Sequence, residues 1–445
     1  MVIYKAMNSK QYRQVDRKCI WHPYTRMSAL KENFPVITRG KGIYLYDVDG
    51  NRWLDAVSSW WACALGHGHP RIVAAINRQV RKLQHSILGN MSHPPAIELA
   101  SRLTKLFPGG KRRVLFASDG ASAVEAALKI SLQYWHNIGE PQKNKFVSLE
   151  NAYHGDTLGA VSVGKLEQFH KQYDPLLFPV FRAESPCCGT CLHGKKPETC
   201  KLECFVSMER IFRKHSKRIA AVIVEPLCQG AAGMRIYSPG YLSKLAVLCR
   251  KHNILLIADE IAVGYGRTGK MFAFEHAGID PDIVCIGKAM SAGYLPISAT
   301  VVKEKIARTF SDEPLDHTFY HGHTFTGNPI ACAAAIETLK VYKQEKIVAK
   351  AATTGRLLAL EMSKLQGLPN VANVRCLGMV GAVEFAGPKG CQIAQGVRKA
   401  MLRKRVIIRP LGSVVYLMFP IVTPPETVLR TITLLNKSIK SVSHQ

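Results

Sequence analysis

The chain has 445 residues, 47% of them apolar, more than one simple core requires, so one large and one or two smaller domains are expected. Its 60 Lys and Arg against 32 Asp and Glu give a formal charge of +28, yet the basic residues are scattered and show no interleaving with aromatics that would make a base-stacking surface. Nucleic acid is therefore not an expected partner, and neither is a membrane, because no stretch approaches the apolar length that crosses a bilayer.

The opening stretch, Met1 to Trp21, is polar and basic without an apolar core, and thirteen cysteines without a secretion signal predict reduced thiols. Both point to a cytoplasmic protein. Residues 1–69, with turn signals at Gly40-Lys41-Gly42 and Asp47-Val48-Asp49-Gly50, read as an arm and a hairpin that join a smaller domain.

From residue 70 to 335 strand-like runs alternate with amphipathic helical stretches, which predicts an α/β large domain on a mainly parallel sheet. The candidate strands are Val114 to Ala117, Phe146 to Leu149, Ala220 to Val224, Ile254 to Ala258 and Ile283 to Ile286. Ligands bind at the carboxyl ends of such strands, so the segments that follow them should converge on one crevice.

After the first strand, Ser118-Asp119-Gly120-Ala121-Ser122 opens a helical stretch. Gly120, Ala121 and Ser122 would offer backbone N–H groups and a positive dipole end to a phosphate, although the same residues suit a plain helix cap. After the second strand comes Tyr153, whose ring would lie against a flat cofactor, although an aromatic there is more often core. Next, Cys187, Cys188, Cys191, Cys200 and Cys204 crowd one short segment with His193. The spacing of Cys188 and Cys191, then Cys200 and Cys204, suits a structural zinc; the competing reading is a surface loop with free thiols and no metal.

The remaining strands end in chemistry: Glu225 after Val224, Asp259 after Ala258, and Gly287-Lys288 after Ile286. A lysine that takes a cofactor covalently must be fixed at the end of a rigid element and partly desolvated, so that some of it is free amine. Lys288 is so placed. A carboxylate such as Asp259 would keep a pyridine nitrogen protonated, which pyridoxal phosphate needs in order to accept electrons. Residues 336–445, with a helical stretch leading in and strands around Gly378 to Phe385 and Val406 to Met418, read as a small α+β domain.

Taken in order, Tyr153-His154-Gly155, Glu225-Pro226, Asp259-Glu260, Gly264-Tyr265-Gly266-Arg267-Thr268-Gly269, Gly287-Lys288 and Thr324-Phe325-Thr326-Gly327-Asn328-Pro329 resemble the class III pyridoxal-phosphate aminotransferases. The resemblance implies the fold type I architecture, Lys288 as the cofactor-bearing lysine, and a homodimer in which Thr324 reaches the phosphate in the neighbouring subunit. One departure stands in the phosphate loop, Asp119-Gly120-Ala121-Ser122, where the family commonly has a serine and then a glycine after the aspartate, so that a side-chain hydroxyl contact is lost.

Within that class, Trp21-His22-Pro23-Tyr24-Thr25-Arg26-Met27, Ser58-Ser59-Trp60-Trp61, Gln133-Tyr134-Trp135 and Ile408-Arg409-Pro410 are similar to the branch of biotin synthesis that converts 8-amino-7-oxononanoate to 7,8-diaminononanoate. That similarity implies that Tyr24, Trp60 and Tyr153 wall the substrate pocket and that Arg409 binds the substrate carboxylate, with Arg267 second. An apolar acceptor with a terminal carboxylate fits aromatic walls and a bidentate donor. Tyr416 and Trp60-Trp61 resemble enzymes that use S-adenosylmethionine as amino donor, whereas Gly293-Tyr294-Leu295-Pro296 and Tyr320-His321-Gly322-His323-Thr324, with His323 as a substrate contact, resemble those that use lysine. The competing functions are another ω-aminotransferase of the class, acting on ornithine, 4-aminobutyrate or a diamine, and a non-catalytic nucleic-acid-binding protein on the same fold.

Overall fold

The computed structural model describes residues 7–30, 34–196, 198–310 and 315–443, so the first six residues of the opening stretch and the last two of the C-terminal region lie outside the described residues. Seven strands form the main sheet: β1 (Arg112–Ala117), β2 (Lys145–Leu149), β3 (Phe181–Ala183), β4 (Ile219–Val224), β5 (Leu255–Asp259), β6 (Ile283–Ile286) and β7 (Ser298–Lys303). Their order across the sheet is β1-β7-β6-β5-β4-β2-β3. Strands β3, β2, β4, β5 and β6 run parallel, with Ala258 beside Val224 and Asp259 beside Cys285. β7 lies antiparallel between β6 and β1, pairing Ile286 with Ala299 and Ala117 with Ser298.

The sequence predicts five of these seven strands. β3 is too short to carry a period, and β7, although apolar, runs against the others. β1 begins two residues before the predicted Val114, so Arg112 and Arg113 lie inside it. Arg112 is buried, its guanidinium held by Asp280 and the Pro281 carbonyl, and Arg113 pairs with Glu304 at 3.0 Å.

All six residues of β4 and all five of β5 are buried, as continuous apolar runs require when helices cover both faces of a sheet. The pleat divides them. Val222, Val224, Leu256 and Ala258 belong to one core cluster, while Ala221, Ile223, Leu255 and Ile257 belong to the other, which packs on the helix Gly120–Asn137. Each buried Val, Leu or Ile contributes about 1.5–3 kcal/mol, so the strand ends are fixed by the best-packed part of the molecule.

Two smaller sheets flank this one. The hairpin of residues 37–55 pairs Leu54 and Asp55 with Val406 and Ile407, joining the start of the chain to its C-terminal part. An antiparallel sheet of Val371–Leu377, Val380–Phe385, Val414–Met418 and Arg409–Leu411 follows. Its first hairpin turns at Gly378 (φ +55°), where a Cβ would lie 2.5 Å from the Arg267 carbonyl oxygen, so only glycine lets the two backbones meet.

After the hairpin, Ser58, Ser59, Trp60 and Trp61 all have positive φ, at 49°, 43°, 69° and 75°. A left-handed turn made of four non-glycine residues costs roughly 1–2 kcal/mol per residue. Ser58 offsets part of it by donating to the Met418 carbonyl at 2.7 Å, Ser59 by donating to Asp55 at 2.8 Å, and Trp61 through its indole N–H to Tyr416 Oη at 3.1 Å. Asp55 is in turn held by His67 at 3.0 Å. Burial disfavours a charged His67, but its hydrogen bonds with Asp55 and Cys63 lift it to about 9.

Candidate active site

The loops that leave β1, β2, β4, β5 and β6 enclose a cavity of about 430 Å³ lined by Asp119, Gly120, Ala121, Tyr153, Glu225, Asp259 and Lys288, among others. The sheet places Asp259 as the last residue of β5, and Lys288 lies two residues beyond β6 at φ +43°. Burial pushes the Lys288 ammonium below its usual range, against the opposing pull of Asp259, Glu225 and Asp156. A larger share of the lysine is therefore a nucleophilic amine near neutral pH than in water. Its Nζ stands 5.2 Å from the centre of the Trp61 ring.

Asp259 is oriented from two sides. Oδ2 lies 2.7 Å from His154 Nδ1, and Oδ1 accepts the Ile261 N–H at 3.1 Å. Glu225 accepts the N–H groups of Tyr153 (3.0 Å) and Gly230 (2.9 Å), and burial lifts its carboxyl to about 7. It thus fixes the loop that carries Tyr153.

The helix Gly120–Asn137 points its N-terminus at the cavity. Asp119 caps it, accepting the Ser122 N–H at 2.9 Å and the Ser122 hydroxyl at 2.9 Å. Gly120 and Ala121 line the cavity, whereas Ser122 turns both of its donors to Asp119 and is not part of the lining. The loop is closely built: a Cβ on Gly155 (φ +126°) would come within 2.4 Å of Ala121 Cβ.

Toward the mouth, Asp156 accepts from the hydroxyls of both Tyr24 and Tyr153, the latter at 3.0 Å. Burial opposes its ionisation, but these bonds and His170 hold the carboxyl below its usual range, while burial and Asp156 raise both phenols. Tyr24 packs edge-on against Trp60 (5.8 Å) and Phe169 (5.2 Å). The Arg409 guanidinium lies 4.0 Å over the Trp60 ring, and among the described residues no carboxylate pairs with it. Tyr416 sits across the strand pair from Arg409 and is buried against Trp61. Arg267 is buried and spends its guanidinium on the Phe419 and Trp61 carbonyls and on Ser58.

Thr324 and His323 are not brought to this cavity. They lie exposed in a surface segment with Tyr320, which is 83% exposed, and the His323 ring stacks edge-on against His321. The thirteen cysteines are free, and among the described residues no three His, Cys, Asp or Glu groups stand ready-arranged around a metal. Three site residues escape sequence reasoning: Trp61, His154 as the partner of Asp259, and Thr157. The Thr157 hydroxyl and His154 Nε2 are buried and have no partner among the described residues. In the sequence His154 stands out only as part of a motif, and nothing in Ser-Ser-Trp-Trp foretells which indole turns inward.

These residues fit pyridoxal phosphate: a desolvated lysine and an oriented carboxylate face one slot, with free helix N–H groups at one end and an unpartnered hydroxyl in its wall. A family model described as aminotransferase class-III matches residues 27–439. The adenosylmethionine-8-amino-7-oxononanoate aminotransferase of Nitratidesulfovibrio vulgaris is 41% identical, over 96% of this chain and 81% of its own. The crystal structure of the like-named protein from Methanocaldococcus jannaschii is 35% identical, covers 97% of this chain and 98% of that chain, and superposes with a TM-score of 0.90. An omega transaminase from Pseudomonas jessenii, solved in complex with PMP, is 29% identical, covers 97% and 98% of the two chains, and also has a TM-score of 0.90. The chain belongs to the class-III aminotransferases, a family of pyridoxal-phosphate enzymes.

Proposed function

We propose that the chain converts 8-amino-7-oxononanoate to 7,8-diaminononanoate in biotin synthesis, with S-adenosylmethionine as amino donor. The observation that carries this reading is the mouth of the site, where Tyr24, Trp60 and Phe169 make an aromatic wall that ends in the unpaired guanidinium of Arg409. A long apolar keto acid matches that surface from end to end. The curated relatives that carry this activity in their names support the same choice.

Bound pyridoxal phosphate supplies an electron sink for the pair released when a proton leaves the amine-bearing carbon of the donor. The chain does the rest. Lys288 would hold the cofactor through its amine and, as a free amine, would move the proton as general base and acid. Asp259, steadied by His154, holds a proton at the ring nitrogen. Gly120 and Ala121 would hold the phosphate with backbone N–H groups, and Tyr153 would supply an apolar face to the ring. Arg409 orients the acceptor, and Tyr416, its hydroxyl raised to about 12 chiefly by burial, stays a neutral hydrogen-bonding group on the donor side.

On this reading two copies form a homodimer, with Thr324 and His323 of each facing the other's cavity, which their exposure in the single chain favours. The chain divides into an arm and hairpin (1–69) joined to a small domain (336–445), around a large cofactor-binding domain (70–335). The free thiols favour a cytoplasmic setting. The test follows the aldehyde-form absorbance of the holoenzyme. Its loss on adding S-adenosylmethionine and return on adding 8-amino-7-oxononanoate is the expected result. A response only to lysine changes the donor, and no return with this acceptor sends the chain back to the wider class.

A further inference from the structure

The chemistry above makes no use of the loop from Glu184 to Phe205. Cys188, Cys191, Cys200 and Cys204 line one recess of about 30 Å³ beneath it, large enough for a single ion and too small for an organic ligand. The loop has almost no core of its own. Residues 192–196, 198 and 199 are exposed, Leu192 to 69%, and Cys188 is exposed as well, whereas Cys191, Cys200 and Cys204 are half-buried; all four line the recess. His193 is occupied by Glu184 at 2.7 Å, and Cys187 lies 3.2 Å from the Thr190 hydroxyl, which leaves four sulfurs in two close pairs along the chain.

The loop is tied into the catalytic domain at its ends. The Cys188 N–H donates to the Ile236 carbonyl at 3.0 Å, and the Ser185 hydroxyl donates to Gln229. Gln229 and Ile236 belong to the small hairpin whose Gly230 N–H holds Glu225 at 2.9 Å. What stiffens the loop therefore stiffens a wall of the active site.

We propose that Cys188, Cys191, Cys200 and Cys204 bind one zinc ion as thiolates and that the metal draws the four sulfurs together to staple the loop. Two chelating pairs, one on each arm of a loop, are the arrangement that tetrahedral sulfur coordination uses. Binding releases the four thiol protons to solvent and involves no change of oxidation state. Residues 192–196 between the pairs are exposed and include Gly194, so drawing the four sulfurs together displaces no buried core there.

The test is elemental analysis of the full-length holoenzyme, prepared with zinc under reducing conditions and without a polyhistidine tag. The expected result is about one zinc per chain and, after exchange with cobalt(II), near-ultraviolet thiolate-to-metal charge-transfer bands with the visible d–d bands of a tetrahedral site. Cys200→Ser combined with Cys204→Ser should lose the metal, whereas Cys19→Ser and Cys391→Ser, at exposed sites elsewhere, should keep it. Metal-free wild-type protein after reconstitution, zinc retained by the double variant, or mass spectrometry showing these cysteines joined as disulfides would each overturn the proposal. The metal content of the wild-type chain decides the matter even where a variant fails to fold.

Discussion

The ends of β5 and β6 and the left-handed turn at Ser58–Trp61 contribute to one cavity by opposite means. Asp259 and Lys288 are delivered by strands whose every side chain is buried, so backbone pairing and packing both favour the position they occupy. The turn holds Trp60 and Trp61 in a conformation that L-residues disfavour, and stands only because Met418, Asp55 and Tyr416 grip it. On the proposed function, reaction chemistry is anchored where the fold is most secure, and substrate shape is set where side chains outside the turn over-determine it.

If that division holds, substitutions at the strand ends strike turnover and spare stability, whereas those at the turn do the reverse. Lys288→Ala is expected to lower kcat by at least about a thousandfold, with a denaturant midpoint close to that of the parent chain. Asp259→Asn should cost about 10²–10³ in kcat, read together with a shifted cofactor absorbance. Arg409→Lys keeps the charge and loses the planar fork, so KM for the keto acid should rise about 10- to 100-fold while kcat changes little. A large fall in kcat there would merge the two regions into one.

The turn is probed by pH and by deletion of a hydroxyl. His67 is raised from 6.5 to about 9 in the folded chain, so the stability it lends through Asp55 is fully present below pH 6.5 and is lost as pH rises through about 9. Denaturation between those limits should show a loss of up to ~3 kcal/mol, abolished by His67→Ala. Ser58→Ala, which frees the Met418 carbonyl, should destabilise by about 1 kcal/mol without changing the cofactor spectrum.

The sequence exposes the first region better than the second for a physical reason. A buried parallel strand must be a short apolar run, and a run that stops at Asp259 or Gly287-Lys288 announces both element and site. The turn has no such signature, because Ser and Trp do not favour positive φ and the partners that enforce it come from residues 55, 416 and 418. The same limit hides β7, whose direction depends on where β1 lies. It also hides the surroundings of Thr324 and His323, which lie exposed in the single chain. Resemblance to a family supplied the motifs, while the inward turn of Trp61, the hold of His154 on Asp259 and the capture of Ser122 by Asp119 emerge only in three dimensions.

The antiparallel β7 also governs when the site comes into being. β1, which carries the phosphate loop, joins the sheet only through β7, and the Ser298 hydroxyl ties that loop by donating to the Asp119 carbonyl at 2.6 Å. A strand made early in synthesis must therefore wait for one made much later, a long-range closure that slows folding. Cofactor capture follows this step and cannot guide it, so pyridoxal phosphate stabilises the finished protein by mass action and does little for the nascent one.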